Sequence, residues 1–235
     1  MSASSTTEPP DGSAPLSLAD FRDRHAGESI VVCGCGRSLT ADVAQGGLTT
    51  IGVNDVGRLF TPNYLVVVNP PRQFRHGRFE HVRHSQAQAV FSQLDLGELR
   101  APQVRFRLGR NGGTDIGAEA VLHHTQNSPY VAVCLAAWMG ARRIGLIGVD
   151  FSEDHFFART GRHALSGRLS RIDSEYTALA EGLKAQGIEL VNLSPISRLQ
   201  GLPRMSLQEF AGQTPSSPGC GRAQRVFFVH HRFLT

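Results

Sequence analysis

An α/β fold, with a mostly parallel sheet and helices on both faces, is what this sequence predicts, and three observations predict it. Short, continuously apolar runs such as Ser29 to Cys33 and Arg143 to Val149 have the length and β-branched content of strands buried on both sides. These runs alternate with helical patterns, as in the amphipathic stretch from Ile172 to Gln186. The first strand also closes on Gly34-Cys35-Gly36-Arg37-Ser38, and a strand, a glycine turn and then a helical stretch open a nucleotide-binding βα unit. The class is therefore Rossmann-like: one domain over 16–211, a lid segment over about 151–170, a disordered leader over 1–15, and a linker and arm over 212–235.

Taken in order, Leu16 to His25 reads as a short helix capped by Ser17. Strands follow at Ser29–Cys33, at Leu48–Val53 ending on Asn54-Asp55, and at Tyr64–Val68 ending on Asn69-Pro70-Pro71. Arg72 to Ser92, rich in Arg, His and Gln, reads as mostly loop with some helix. Gln103 to Leu108 alternates basic and apolar residues, which suits an edge strand. Asn111-Gly112-Gly113-Thr114 is turn chemistry. Ser128-Pro129 opens a helix to Met139, with Ser128 as cap and Gly140 as stop. The strand Arg143–Val149 ends at Asp150. The helix Ile172–Gln186 stops at Gly187 and feeds a strand over Ile188–Val191, and Ser194-Pro195-Ile196-Ser197 begins another short helix. Gln213 to Gly221 reads as linker, and Val226 to Val229 as a short strand or arm.

Composition narrows the function classes. The apolar fraction of 40% and charged fraction of 19% belong to a globular chain. The longest apolar-rich run, Tyr130 to Met139, is too short to span a bilayer. The first fifteen residues lack the basic start and apolar stretch of a signal peptide, so the expected compartment is the cytoplasm. Four cysteines, Cys33, Cys35, Cys134 and Cys220, give no disulfide framework and no metal-ligand spacing. Net charge is +4 and Lys184 is the only lysine. Arginine suits bidentate phosphate or carboxylate recognition, so the balance favours an anionic ligand.

Ligands of such sheets bind beyond the carboxyl ends of the strands. The sequence places Gly34, Cys35, Gly36, Ser38, Asn54, Asp55, Asn69, Asp150 and Ser194 there. Asn127 and Ser128, at the start of a helix, are natural contacts for a phosphate or carboxylate. Asparagine supplies both donor and acceptor to ribose, base or sugar, although Asn and Asp at strand ends also simply make turns. The loop after Asp150 carries His155, Arg159, Arg162 and His163. A histidine there can act as a general base, with His163 placed ahead of His155. The run from Arg72 to His84 is a basic surface for an acidic acceptor or lipid headgroups, or a plain solvated face.

The blocks Gly34-x-Gly36-x-Ser38-Leu39, Val53-Asn54, Asn69-Pro70, Ser128 through Gly148-Val149-Asp150-Phe151, and Asn192 to Leu199 resemble bacterial sialyltransferases that use a CMP-sugar donor. They also resemble the broader MptE-like Rossmann family, which holds glycosyltransferase-like proteins and a 6-hydroxymethylpterin diphosphokinase. The resemblance covers roughly 27–207. It implies a metal-independent glycosyltransferase with no tightly bound cofactor, taking a nucleotide-linked donor and an acceptor hydroxyl; assembly as a homo-oligomer is a separate, open expectation. Gly34, Gly36 and Ser38 would hold the donor phosphate and nucleotide, Asn54 and Asn69 the donor and its sugar, and His163 would be the base. Cys35 stands where that family has Asn, Pro129 where it has Gly, and Phe156-Phe157 offer no lid tyrosines, so Arg159 or Arg162 would meet the leaving phosphate. The alternatives are an ATP-dependent diphosphokinase, with magnesium on Asp55 and Asp150, and a non-catalytic nucleotide-binding protein.

Overall fold

The computed structural model describes residues 15–116, 120–125, 127–152, 154–159 and 166–212. The expected leader, the arm from 213 onward, and Arg162 and His163 lie outside the described residues. Seven strands form one all-parallel sheet: Ser29–Cys33 (β1), Thr49–Val53 (β2), Tyr64–Val66 (β3), Ala89–Ser92 (β4), Gln103–Arg105 (β5), Arg143–Ile147 (β8) and Glu189–Asn192 (β11), in the order β11-β8-β1-β2-β3-β4-β5. Every residue of β1 and of β8 is buried, as expected of central parallel strands covered on both faces.

The two faces are covered differently. Ile30, Val32, Ile51, Val66, Phe91, Ile144 and Leu146 face the two long helices, Ser128–Trp138 (α2) and Leu169–Ala185 (α3). Val31, Cys33 and Val191 on the opposite face meet only short pieces: 3-10 turns at Ala41–Gln45 and Val56–Arg58, and the helix Leu207–Gly212 (α4). Further along that face, Leu65, Val67 and Val90 pack on the four-residue helix Glu80–Arg83 (α1).

All eleven residues of α2 are buried, although a helix lying on a sheet needs only one apolar stripe. A second layer explains it. Arg107–Asn111 (β6) and Val121–His124 (β7) form a separate parallel pair, and Leu122 of β7 is fully buried in the cluster that contains α2. Tyr130 of α2 also meets Tyr176 of α3 edge-on at 5.3 Å and donates its hydroxyl to the Gly113 carbonyl at 3.0 Å. No helix among the described residues is long and apolar enough to cross a membrane.

The structure corrects several sequence expectations. The helical stretch after the glycine turn is only the 3-10 turn Ala41–Gln45, cut short by Gly46-Gly47. The expected loop from Arg72 to Ser92 contains β4, whose short apolar core gains its burial by pairing with β3 and β5. The expected strand Gln103–Leu108 is split between β5 and β6, and β7 was not expected. The N-cap of α2 is Asn127, with Ser128 already helical. The expected helix beginning at Ser194-Pro195-Ile196-Ser197 is instead a turn. Ser197 Oγ donates to the Val149 carbonyl at 2.7 Å and the Arg198 amide to the Asp150 carbonyl at 2.9 Å, binding this turn to the end of β8.

The ends of β1 and β8 meet backbone to backbone. The Gly34 amide donates to the Ile147 carbonyl at 2.8 Å and the Gly36 amide to the Gly148 carbonyl at 2.7 Å. A Cβ on Gly34 would press on the Gly148 carbonyl, and one on Gly148, whose φ is +70°, would press on the Gly34 carbonyl. Gly47 has a φ of +67° but faces open space. Gly148→Ala therefore combines left-handed strain with a backbone clash, and Gly47→Ala has the strain alone. Urea unfolding should show the first destabilised by ~3 kcal/mol and the second by ~1 kcal/mol.

Candidate active site

From β1 the chain proceeds outward through β2 to β5, then returns to the other side of β1 with β8. β1 and β8 therefore flank the point where the strand order reverses, and the region beyond their carboxyl ends is where open α/β sheets hold ligands. A cleft of about 180 Å³ opens there, walled by the glycine turn, the ends of β2 and β3, the start of α2 and the segment Gly148–Ser152.

Polar groups converge on it. Asn54 directly follows β2 with φ +53°, a conformation Asn accepts more readily than most residues. Ser128 Oγ donates to Asn69 Oδ1 at 3.1 Å and lies 3.5 Å from Asn54 Oδ1, so the first turn of α2 orients both asparagines. Asn69 Nδ2 donates to Gln73 Oε1 at 2.7 Å, which occupies that amide on both sides. Asn54 Nδ2 has no partner among the described residues and is a donor left to the cleft. Asn127 holds the N-cap position of α2 but its side chain makes no capping bond among the described residues. Pro129 has no N–H, and the Tyr130 amide donates to the Asn127 carbonyl at 3.2 Å. The start of α2 thus meets the cleft with the Ser128 amide and its positive dipole end, beside two uncommitted amide side chains. Such a wall is rich in donors and suits a ligand rich in acceptors.

On the side of the cleft formed by Gly148–Ser152, Asp150 is 2% exposed and bound into the glycine turn. Its carboxylate accepts from the Ser38 amide at 2.8 Å and from Ser38 Oγ at 2.5 Å. Ser38 Oγ accepts in turn from the Gly148 amide at 3.0 Å and lies 2.8 Å from Ser194 Oγ. A Cβ on Gly36 would occupy the place of the Asp150 carboxylate. Phe151, next in the chain, is held at φ +52°, an unfavourable conformation for a bulky side chain and costing of order 1–3 kcal/mol. Strain of this kind clusters at functional sites.

Asp55 is wholly buried and accepts from Arg78 Nε at 2.7 Å and from the second Arg78 nitrogen at 2.5 Å. The Cys35 thiol lies 3.6 Å from the Val53 carbonyl and 3.9 Å from Asp55. Burial, and secondarily the Asp55 carboxylate, push this thiol far above the ordinary thiol range, which favours its neutral form. Asp154–His155 (β9) and Ala158–Arg159 (β10) form a hairpin against the glycine turn, where His155 bridges to Gly36 and the Phe156 amide donates to the Cys35 carbonyl at 3.0 Å.

Of the residues expected in the site, Cys35, Gly36, Asn54, Asn69, Asn127, Ser128, Asp150 and His155 line one cleft. Gly34, Ser38, Asp55 and Ser194 are packed behind it, and His163 and Arg162 lie outside the described residues. Phe151 and Ser152 also line the cleft and were not expected, although they directly follow Asp150. Arg78 as the partner of Asp55 had one legible signal, that a buried carboxylate needs a cation, but 23 residues separate them.

No protein-family model matches the sequence, and no curated protein matches it. Solved structures match the fold. The MAf glycosyltransferase from Magnetospirillum magneticum AMB-1 superposes with a TM-score of 0.53 at 13% identity, over 82% of this chain and 38% of that one. The seven-stranded parallel sheet and its helices share the fold of that structure. The chain thus spans 38% of the length of the MAf enzyme, and at this identity the likeness is one of fold. Weaker superpositions are found with the sialyltransferase CstII from Campylobacter jejuni in complex with cytidine-5'-monophosphate (TM-score 0.43, 11% identity, 77% of this chain and 86% of that one). The same holds for the sialyltransferase CST-II in complex with trisaccharide acceptor and CMP (0.45, 12%, 81% and 88%).

Arg78→Met removes both hydrogen bonds to a fully buried carboxylate and leaves it Arg58, 3.9 Å away, so it should lower stability by ~3 kcal/mol. Removing the charge as well, in the double variant Asp55→Asn, Arg78→Met, should recover part of that loss. Denaturant midpoints of the two single variants and the double variant measure the coupling.

Proposed function

We propose that the protein transfers a sugar from a nucleotide-activated donor, of the CMP-sugar type, to an acceptor hydroxyl, without a metal ion. The observation that carries this reading is the donor-rich wall: Asn54 and Asn127, with amide groups uncommitted, flank the start of α2 at the switch point of a glycosyltransferase-like sheet. The helix N-terminus would take the donor's phosphate or sugar carboxylate, and the asparagines its hydroxyl groups and carbonyls. Gly36 would let the ligand approach the backbone closely.

In the proposed reaction a histidine accepts the acceptor's hydroxyl proton as its oxygen bonds to the anomeric carbon. The bond from that carbon to the phosphate oxygen breaks, and the nucleotide leaves with the electron pair. His155 is the base we favour, because it lines the cleft. His163 is the second candidate. Fixed donors at the start of α2 would stabilise the charge on the departing phosphate.

The diphosphokinase alternative would use Asp55 and Asp150 as magnesium ligands. Asp55 is committed to Arg78 and Asp150 to Ser38, and no group of three His, Cys, Asp or Glu among the described residues is placed to hold a metal. These pairings favour the metal-free reading.

Two measurements test it. Ligand binding to the folded state raises the melting temperature in proportion to ln(1 + [L]/Kd), so CMP with EDTA should shift it upward while ATP with magnesium should not. The opposite pattern would move the assignment to the diphosphokinase. Among variants, Asn54→Ala should weaken CMP binding by roughly tenfold, the value of one or two hydrogen bonds. His155→Ala should leave CMP affinity unchanged and reduce turnover by 10²-fold or more, within the usual range for a lost general base. The same result from His163→Ala, with His155→Ala active, would assign the base to His163.

A further inference from the structure

We infer that Asp55, Arg78 and Phe157 form a latch that fixes the β9–β10 hairpin and so positions His155 at the cleft, an inference that rests on His155 being the reacting group. The hairpin cannot hold itself. Each strand has two residues, and an isolated pair of strands is marginal even at greater length. Its turn is Phe156-Phe157, where two-residue hairpin turns favour Asn-Gly or a glycine first. Residues so poorly suited to the turn itself are explained by what their rings touch.

Phe157 lies beneath two guanidinium groups, Arg58 at 4.1 Å and Arg78 at 4.9 Å from the ring centre. Arg78 cannot drift, because both of its bonds to Asp55 are made to a carboxylate with no exposure to solvent. Arg58 leans toward the same carboxylate, 3.9 Å away. A buried anion therefore fixes the cation, and the cation holds the ring by the attraction of positive charge for an aromatic face. The held ring sets the neighbouring histidine: the Phe157 and His155 ring centres are 5.3 Å apart with planes tilted by 32°. On the hairpin's other side, the Phe156 amide donates to the Cys35 carbonyl and His155 bridges to Gly36. The hairpin backbone at His155 is thus held by the glycine turn on one side, and its ring lies against the Phe157 ring on the other. Phe157 is only half-buried, so burial of apolar area is a weak account of the contact. Its two cationic neighbours are the stronger one.

Arg78 and Phe157 act through His155 and are positioning residues. The test compares Phe157→Tyr, which keeps the ring, with Phe157→Leu, which keeps apolar bulk and loses the ring face. Three quantities are read on the full chain: hydrogen exchange of the Phe156 amide, the imidazole NMR resonances of His155, and release of CMP from CMP-N-acetylneuraminic acid. Phe157→Tyr should match wild type throughout. Phe157→Leu should speed Phe156 amide exchange and lower kcat, each by about tenfold or more, move the His155 resonances, and leave CMP affinity and the melting temperature unchanged. Wild-type exchange and resonances in Phe157→Leu would overturn the latch, because ordinary packing would then suffice. Should wild type neither bind CMP nor release it from this donor, the functional reading falls, while exchange and resonances, which need no ligand, still decide the latch.

Discussion

The rest of the structure depends on the backbone contact between the ends of β1 and β8. Gly34 and Gly148 approach so closely that neither tolerates a Cβ, and Gly36 makes room for the Asp150 carboxylate. This packing brings two loops from distant parts of the chain into one wall, and the cleft lies against it. A phosphate-binding role for such glycines is usually argued from the ligand's approach. Here the first demand on Gly34 is the neighbouring strand, and only Gly36 and Cys35 of the turn reach the cleft.

Two buried acids extend that contact in different ways. Asp150 is satisfied by a backbone amide and a serine hydroxyl, an arrangement that draws the glycine turn onto β8 and links it to Ser194 after β11. Asp55 is satisfied by an arginine, which ties the end of β2 to the loop before α1. Burying a carboxylate is costly unless its hydrogen bonds are complete, so each acid rigidly specifies its partner's position. The cleft is consequently built on fixed supports, and its own polar groups need not hold the walls together. That division leaves the Asn54 and Asn127 side chains with uncommitted capacity.

The helix α2 completes the arrangement. Its all-round burial between the sheet, α3 and the β6–β7 pair fixes its axis, and that axis delivers the start of the helix to the cleft. Asn127 caps in position, its side chain making no capping bond among the described residues, and an acceptor group of a ligand can take up the Ser128 amide and the Asn127 side chain. The strained backbone of Phe151 lies on the facing wall, where local strain is maintained by the surrounding packing.

The class of the fold and most of the residues lining the cleft are legible in the order of amino acids alone. Apolar runs of strand length, Gly34-x-Gly36, and the polar residues closing each strand all carry local information, since strand ends and helix starts are specified within a few residues. Hence Asn54, Asn69, Ser128, Asp150 and His155 were legible before any geometry. Tertiary structure decided what local pattern cannot carry. It made a strand of Ala89–Ser92, where neighbours on both sides supply the burial its own residues do not, and it split Gln103–Leu108 between two sheets. It moved Asp55 and Ser38 from the cleft to the supports behind it, because a buried charge goes where its partner is, and Arg78 and Asp150 are 23 and 112 residues away. Pairing over such separations is set by the packing of the whole sheet and leaves no trace in the residues on either side.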